Sequence, residues 1–306
     1  MGASYLVTGA TGYLGGRLCA RLCRDGHEVH AVVRPTSNTR SLAQLDVRAH
    51  IHGGSTGELI AIVEKARPAV VFHLASNTVA RHDADGVPGL ISSNVAFGAQ
   101  LLEAMHTTGV GSMINAGTAW QHFGGAAYSP VNLYAATKQA FLDVARFYHE
   151  SYGIGVITLE LPDIYGPGDP RRKLFGILRE AQARGQGLDM TAGRQEIDLL
   201  YIDDAVEAFA VAARAVAGGL NGSFASYRVS SGSPRPLREV VELFAAISGA
   251  AIEVNWGGLA YRPREMMTPW SGGEPLPGWR AGVSLEEGLR RMLQAAPSEV
   301  AVRGRC

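Results

Sequence analysis

A short apolar run, Ser4–Thr8, passes directly into Gly9-Ala10-Thr11-Gly12-Tyr13-Leu14-Gly15 and then into a helical pattern near 12–24. Glycines at these three places allow a tight turn, close approach of backbone to a diphosphate, and close packing of the helix on the strand. The unpaired N–H groups at a helix start favour phosphate. Strand before and helix after make this a dinucleotide-binding loop, with Gly9, Thr11, Gly12, Tyr13, Leu14 and Gly15 facing the cofactor.

The same rhythm continues through the first half. Runs rich in Val, Ile and Leu at Glu28–Val33, 47–52, 69–74, 111–116 and Gly155–Leu161 alternate with helical patterns near 56–66, 87–107 and 130–152. Strands buried on both faces and separated by helices predict an α/β fold, a doubly wound parallel (Rossmann) sheet with right-handed crossovers. Past about residue 162, Pro and Gly cluster and the alternation stops, which predicts a smaller C-terminal substrate-binding lobe. The expected division is 1–165 for the dinucleotide-binding domain, with segments near 197–220 returning to it, and 166–306 for the smaller lobe.

Charge narrows the possible partners. The 28 Lys and Arg balance 28 Asp and Glu, so the chain lacks the electrostatic footprint needed for nucleic acid or an anionic membrane surface. No apolar run reaches the roughly 18 residues of a membrane span, and the first strand leaves no room for a signal peptide, so a cytoplasmic location is expected. Cys19 and Cys23 lie one helical turn apart and Cys306 ends the chain. None has His or Asp neighbours at ligand spacing, so buried or half-buried thiols in a reducing compartment and no metal site are expected.

The second strand runs through His27-Glu28-Val29-His30-Ala31-Val32-Val33 to Arg34. An acid at its end would bind an adenosine 2′-hydroxyl, whereas a guanidinium matches a 2′-phosphate. Arg34 therefore favours NADP(H) over NAD(H); its alternative role is a solvated loop charge or a stack on adenine. Further on, Tyr134 and Lys138 are i, i+4 neighbours on one helix. Lysine is scarce here, with Lys65, Lys138 and Lys173 the three among 28 basic residues. A nearby ammonium favours a phenolate, so the pair is expected to lower the tyrosine pKa for proton transfer at a substrate oxygen.

Six ordered landmarks carry a resemblance across nearly the whole chain. They are the Gly9–Gly15 loop, His73-Leu74-Ala75-Ser76, the strand ending at Ala116 with Gly117-Thr118, Tyr134-x-x-x-Lys138, Tyr165-Gly166-Pro167-Gly168, and Tyr201-Ile202-Asp203-Asp204. Together they resemble the extended short-chain dehydrogenase/reductase family of nucleotide-sugar epimerases, dehydratases and reductases. The resemblance implies Tyr134 as acid/base, Lys138 on the nicotinamide ribose, and Thr118, where relatives usually carry serine, as the hydroxyl on the reacting sugar oxygen. It implies Leu74, Ala75, Ser76, Asn94, Leu161 and Ile164 beside the cofactor, with His73 packing on that side. Asn94 and Asn132 are expected to hold backbone or a proton-relay water. His122, Arg171, Lys173, Arg262 and Arg264 are candidates for the nucleotide-sugar substrate, the cations as a diphosphate clamp.

The residues after Thr118 are Ala119 and Trp120, in place of the acidic pair that a 4,6-dehydratase uses. Relatives that combine 3,5-epimerisation with reduction need a cysteine beside a histidine in the pocket, and all three cysteines here lie near the chain ends. The stretches 117–123 and 130–139 resemble the branch that includes CDP-abequose and CDP-paratose synthases. The implied activity is NADPH-dependent reduction of the C4 keto group of a dTDP- or CDP-linked 4-keto-6-deoxyhexose. Alternatives are an NAD-dependent nucleotide-sugar epimerase and a non-catalytic NADPH-binding regulator. Large apolar residues on two faces of the 87–107 and 134–152 helices, with the resemblance, imply a homodimer.

Overall fold

The computed structural model describes residues 2–220 and 222–295. Strands β1 (Ser4–Thr8), β2 (Glu28–Val33), β3 (Val47–Ile51), β4 (Val70–His73), β5 (Ser112–Thr118) and β6 (Gly155–Leu161) alternate with helices α1 (Tyr13–Arg24), α2 (Thr56–Ala66), α3 (Gly86–Ile91), α4 (Phe97–Thr108) and α5 (Leu133–Tyr152). The second half adds β7 (Asp163–Tyr165), α6 (Leu174–Arg184), β8 (Leu188–Met190), β9 (Glu196–Ile197), β10 (Leu199–Tyr201), α7 (Ile202–Ala215), β11 (Phe224–Arg228), β12 (Arg235–Pro236), α8 (Leu237–Ser248), β13 (Val254–Trp256) and α9 (Leu285–Gln294).

Seven parallel strands form one sheet in the order β11-β6-β5-β4-β1-β2-β3. The order reverses between β1 and β4, so the crevice beyond their C-terminal ends is where a doubly wound sheet takes its ligand. β4 and β6 are buried at every residue, as central strands covered on both faces must be, while the edge strand β3 is largely open. One face packs on α1 and α7 through Leu18, Leu22, Phe72, Ile114 and Phe209. The other packs on α2, α4 and α5 through Leu59, Leu101, Met105, Met113 and Phe141. A third core, built on Phe175, Leu178, Val240, Phe244 and Leu289, joins α6, α8 and α9.

Three features differ from the sequence expectation. The 87–107 helix is divided by a π-helical turn, Ser92–Ala96, which contains the buried Asn94. The chain returning to the large domain extends beyond 220, because β11 pairs with β6 along its full length. Of the large apolar residues on the two faces of these helices, Leu101, Leu102, Met105 and Phe141 are fully buried in this chain's own core, while Phe147 and Tyr152 on α5 remain exposed.

Asp204, in the first turn of α7, anchors a distant part of the chain. It is buried, and its carboxylate accepts from the backbone N–H of Gly282 at 3.1 Å and of Val283 at 2.9 Å, tying the segment just before α9 to the start of α7.

α4 approaches the sheet and α5 closely because Gly98 has no side chain. A Cβ there would stand 2.5 Å from Phe141 Cδ2 and 3.3 Å from His73 Nε2. Both neighbours are buried and have no room to yield. Gly98→Ala should therefore lower stability in urea denaturation by about 1–3 kcal/mol through overpacking, and adding Phe141→Leu should recover part of the loss.

Candidate active site

The glycine loop leaves β1 with Gly9 at φ 71° and hooks back, the Gly12 N–H donating to the Gly9 carbonyl at 2.9 Å. A Cβ on Gly9 would stand 2.7 Å from the backbone of Leu74 and Ala75, and one on Gly15 would overlap the Gly9 carbonyl. The loop is thus as tight as backbone permits. α1 starts without a side-chain cap or an acidic residue in its first turn, which leaves its N–H groups for an anion. Tyr13 does not point at that anion alone; its hydroxyl donates to the Pro167 carbonyl at 3.3 Å and its ring lies under Arg171.

A cleft of about 230 Å³ opens above this loop. It is lined by Gly9, Gly12, Tyr13, Leu14, Gly15, Leu74, Ser76, Thr118, Tyr134, Lys138, Leu161, Ile164, Arg171 and Lys173 among the anticipated residues. Thr78, Val79, Ala80, Ala116, Gly117, Trp120, Pro162 and Asp163 also line it. Thr11 and Ala75 are in the glycine loop and the β4 exit, and Arg34 stands exposed just past β2, its N–H donating to Ser37 Oγ at 3.0 Å.

Tyr134 and Lys138 reach the cleft from the first turns of α5. Asn132 caps that helix by accepting from the Ala135 N–H at 3.0 Å, and its amide donates to the carbonyls of Val79 and Ala80. Thr118 is buried; its hydroxyl accepts from the Trp120 N–H at 3.3 Å, and Gln121 of the same turn donates to Gln139 of α5 at 3.0 Å. The two catalytic candidates on α5 and the hydroxyl after β5 therefore share one set of ties.

The electrostatics correct the expectation of a depressed phenol. Burial, helped by the charge of Asp163, pushes the Tyr134 pKa up to about 12 against the downward pull of Ser76, Thr118 and the Arg171 charge. Lys138 is itself buried, and desolvation lowers its pKa from 10.5 to about 8. In the resting site Tyr134 is a neutral phenol, able to give a proton. His73, packed between Phe97 and Phe141 with Nδ1 2.9 Å from Thr8 Oγ1, is pushed down to about 3 by burial and by Lys138 and stays neutral.

The remaining candidates separate. His122 does not line the cleft; it is buried, stacked on Trp270 at 3.7 Å, with Nε2 3.3 Å from Glu160 Oε1 and Nδ1 3.2 Å from the Ala126 carbonyl. Burial alone would lower its pKa, yet the hydrogen bond and charge of Glu160 prevail and raise it. Arg171 forms a two-pronged pair with Asp169, at 2.8 and 2.7 Å, and Lys173 pairs with Asp163 at 3.1 Å. Arg262 is forked on Glu265 and reaches the cleft wall only by facing Trp120 at 5.7 Å. Arg264 is directed to Ser129, Pro130 and the Phe123 ring instead of the cleft. Asn94 lies beneath the cleft, and its amide is taken up by Ser76, Asn77 and Thr137.

Trp120 and Asp163 are two cleft residues to which the motifs gave no role. Trp120 meets Tyr134 edge-on at 6.4 Å and has Lys173 5.8 Å from its ring. The signal for both was position alone, one just past Thr118 and the other just past the Pro162 that ends β6.

The depressed lysine has a measurable consequence. Between about pH 8 and 10.5 the unfolded chain keeps the Lys138 proton that the folded chain has released, so stability rises with pH there. Urea unfolding of the cofactor-free protein should show a gain that Lys138→Met removes, with a slope difference of up to about 1.4 kcal/mol per pH unit.

The glycine cradle, the open helix start and a buried ammonium without a carboxylate partner among the described residues fit a nicotinamide dinucleotide. Among curated proteins, the chain is 25% identical over 298 residues to a CDP-abequose synthase of Salmonella muenchen, covering 94% of this chain and 96% of that protein. It is 28% identical over 312 residues to a UDP-glucose 4-epimerase of Mycolicibacterium smegmatis, covering 94% and 97%. Among solved structures, a Thermus thermophilus UDP-glucose 4-epimerase in complex with NAD superposes with a TM-score of 0.80 at 24% identity, covering 94% of this chain and 97% of that one. The model of the NAD dependent epimerase/dehydratase family matches residues 5–226, and the chain belongs to that family.

Proposed function

We propose that the protein uses NADPH to reduce the C4 keto group of a dTDP- or CDP-linked 4-keto-6-deoxyhexose, as a cytoplasmic enzyme of deoxysugar biosynthesis. The observation that carries this reading is that Tyr134, Lys138 and Thr118 line one cleft with the glycine loop. A bound nicotinamide supplies hydride; the chain's own task is to place the carbonyl and protonate its oxygen. Thr118 would donate to that oxygen as negative charge builds, and Tyr134 would transfer its proton to it. Lys138, one turn along α5, would hold the nicotinamide ribose and offset the phenolate left behind.

Arg34 at the end of β2, with no acid beside it, supports NADPH, and likeness to the CDP-abequose synthases supports a 4-keto sugar. Arg171 and Lys173 are the cations on the cleft wall suited to the sugar-nucleotide diphosphate. The exposed Phe147 and Tyr152 on α5 offer a face for a homodimer. A second reading, an NAD-dependent 4-epimerase, is favoured by the equally extensive likeness to UDP-glucose 4-epimerases.

Purified protein with NADPH and a fresh CDP- or dTDP-4-keto-6-deoxyglucose should consume the reduced nicotinamide band. Failure with both sugars, together with interconversion of UDP-hexoses on added NAD, would establish the epimerase instead. Tyr134→Phe should cut kcat by about 10²–10⁴-fold while NADPH affinity, read by fluorescence titration, is retained. Arg34→Glu should reverse the preference between NADPH and NADH in kcat/KM; an unchanged ratio would place 2′-phosphate recognition elsewhere.

A further inference from the structure

The side chains of β6 are apolar except at Thr158 and Glu160, and Glu160 is buried. Its room comes from Gly117, its register partner on β5, where a Cβ would stand 3.3 Å from Glu160 Cγ. The carboxylate meets His122, which closes the turn after Thr118 with its N–H on the Ala119 carbonyl at 3.2 Å. Both ring nitrogens of His122 face oxygen, Nδ1 the Ala126 carbonyl at 3.2 Å and Nε2 the Glu160 Oε1 at 3.3 Å. A carbonyl and a carboxylate only accept, and a neutral imidazole has one N–H to give. The arrangement is complete with one added proton, as imidazolium on carboxylate. Trp270, from the segment between β13 and α9, covers the ring in a parallel stack at 3.7 Å, which suits a cation.

We propose that His122 is a positioning residue, a proton-held latch that clasps Glu160 and Trp270 and so fixes the turn bearing Thr118 and Trp120 on the cleft wall. Its effect on turnover rests on the reading above, in which Thr118 holds the reacting oxygen. The links from ring to cleft are short. His122 closes the turn on Ala119, and the Trp120 N–H donates to Thr118 Oγ1 at 3.3 Å. Loss of the proton leaves a ring lone pair against an oxygen, so one of the two contacts opens. The charged group on the ring is Glu160. Arg228 stands in register beside Glu160 on β11, its Nε buried and without a partner among the described residues. Arg264 is turned to Ser129 and Pro130, and α5 meets the turn with the uncharged Gln139. Burial lowers the ring's pKa, but the hydrogen bond and charge of Glu160 outweigh it and hold the pKa above the ordinary 6.5. The pair's stabilisation is therefore full below about pH 6.5 and is lost as pH rises through the folded value.

The four tryptophans of the full chain report on the latch. With fluorotryptophan incorporated and each ¹⁹F signal assigned by replacing one tryptophan at a time, Trp120 and Trp270 should share one step with pH, its midpoint above about 6.5, that Trp256 and Trp279 lack. Glu160→Gln, whose amide can donate to a neutral ring, should remove the shared step and keep both signals at their low-pH positions. With NADPH and the keto sugar, the ratio of kcat in Glu160→Gln to kcat in unaltered protein should rise about tenfold across the same midpoint, with NADPH affinity unchanged in both. A Trp120 signal that stays still while Trp270 moves, a shared step that survives Glu160→Gln, or a flat kcat ratio would overturn the proposal. If the unaltered protein turns over neither keto sugar while the two signals keep their shared step, the latch stands and the substrate assignment falls.

Discussion

The position of α5 governs the chemistry of the cleft, because Tyr134 and Lys138 both hang from its first two turns. Four ties set that position. Asn132 fastens the helix start to the 79–80 backbone, Thr137 fastens it to Asn94, Gln139 fastens it to the Thr118 turn through Gln121, and Phe141 presses it against Gly98. Three are hydrogen bonds and one is close packing, so each alone is worth of order 1 kcal/mol or a few. Together they hold a phenol, an ammonium and a hydroxyl in one cleft wall, where an error of an ångström would cost rate.

Burial then decides the protonation states. An i, i+4 ammonium would be expected to draw a phenol toward ionisation, but in a cleft wall the loss of water acts on both groups and in opposite directions. It raises Tyr134 and lowers Lys138, so the two approach neutrality as a pair. A site arranged in this way favours giving a proton over taking one in its resting state. It also leaves Lys138 needing the hydroxyl donors and acceptors that a ribose carries.

The sequence was most legible where local rules suffice. Ser4–Thr8 and Gly9–Gly15 specify a strand, a hook and a helix within a dozen residues, and the central strands declare themselves because burial on both faces demands continuous Val, Ile and Leu. Legibility fell where a partner distant in sequence decides. The π turn at Asn94 depends on Asn77 and Thr137, and β11 is a strand because β6 has a free edge. His122 reads as a loop histidine near the reacting hydroxyl, yet Glu160 and Trp270 bury it. Arg262 and Arg264, alike in sequence, part company because one meets Glu265 and the other Ser129.

Apart from Lys138, the cations on or beside the cleft wall follow the same logic as the chain's zero net charge. Arg171, Lys173 and Arg262 are each paired with a carboxylate, Asp169, Asp163 and Glu265 respectively. A pre-paired cation is held in place and is indifferent to stray anions, so only a ligand that offers further contacts can draw it away. Of the three pairs, Lys173 with Asp163 is the most exposed, a single contact at 3.1 Å, and an ion pair in water is worth less than about 1 kcal/mol. It is the pair that opens at least cost. The forked Arg171–Asp169 and Arg262–Glu265 pairs are better suited to stay closed and to present fixed charge, Arg171 lying over Tyr13 and Arg262 facing Trp120. A diphosphate entering this cleft would therefore meet one mobile ammonium and a rigid guanidinium frame.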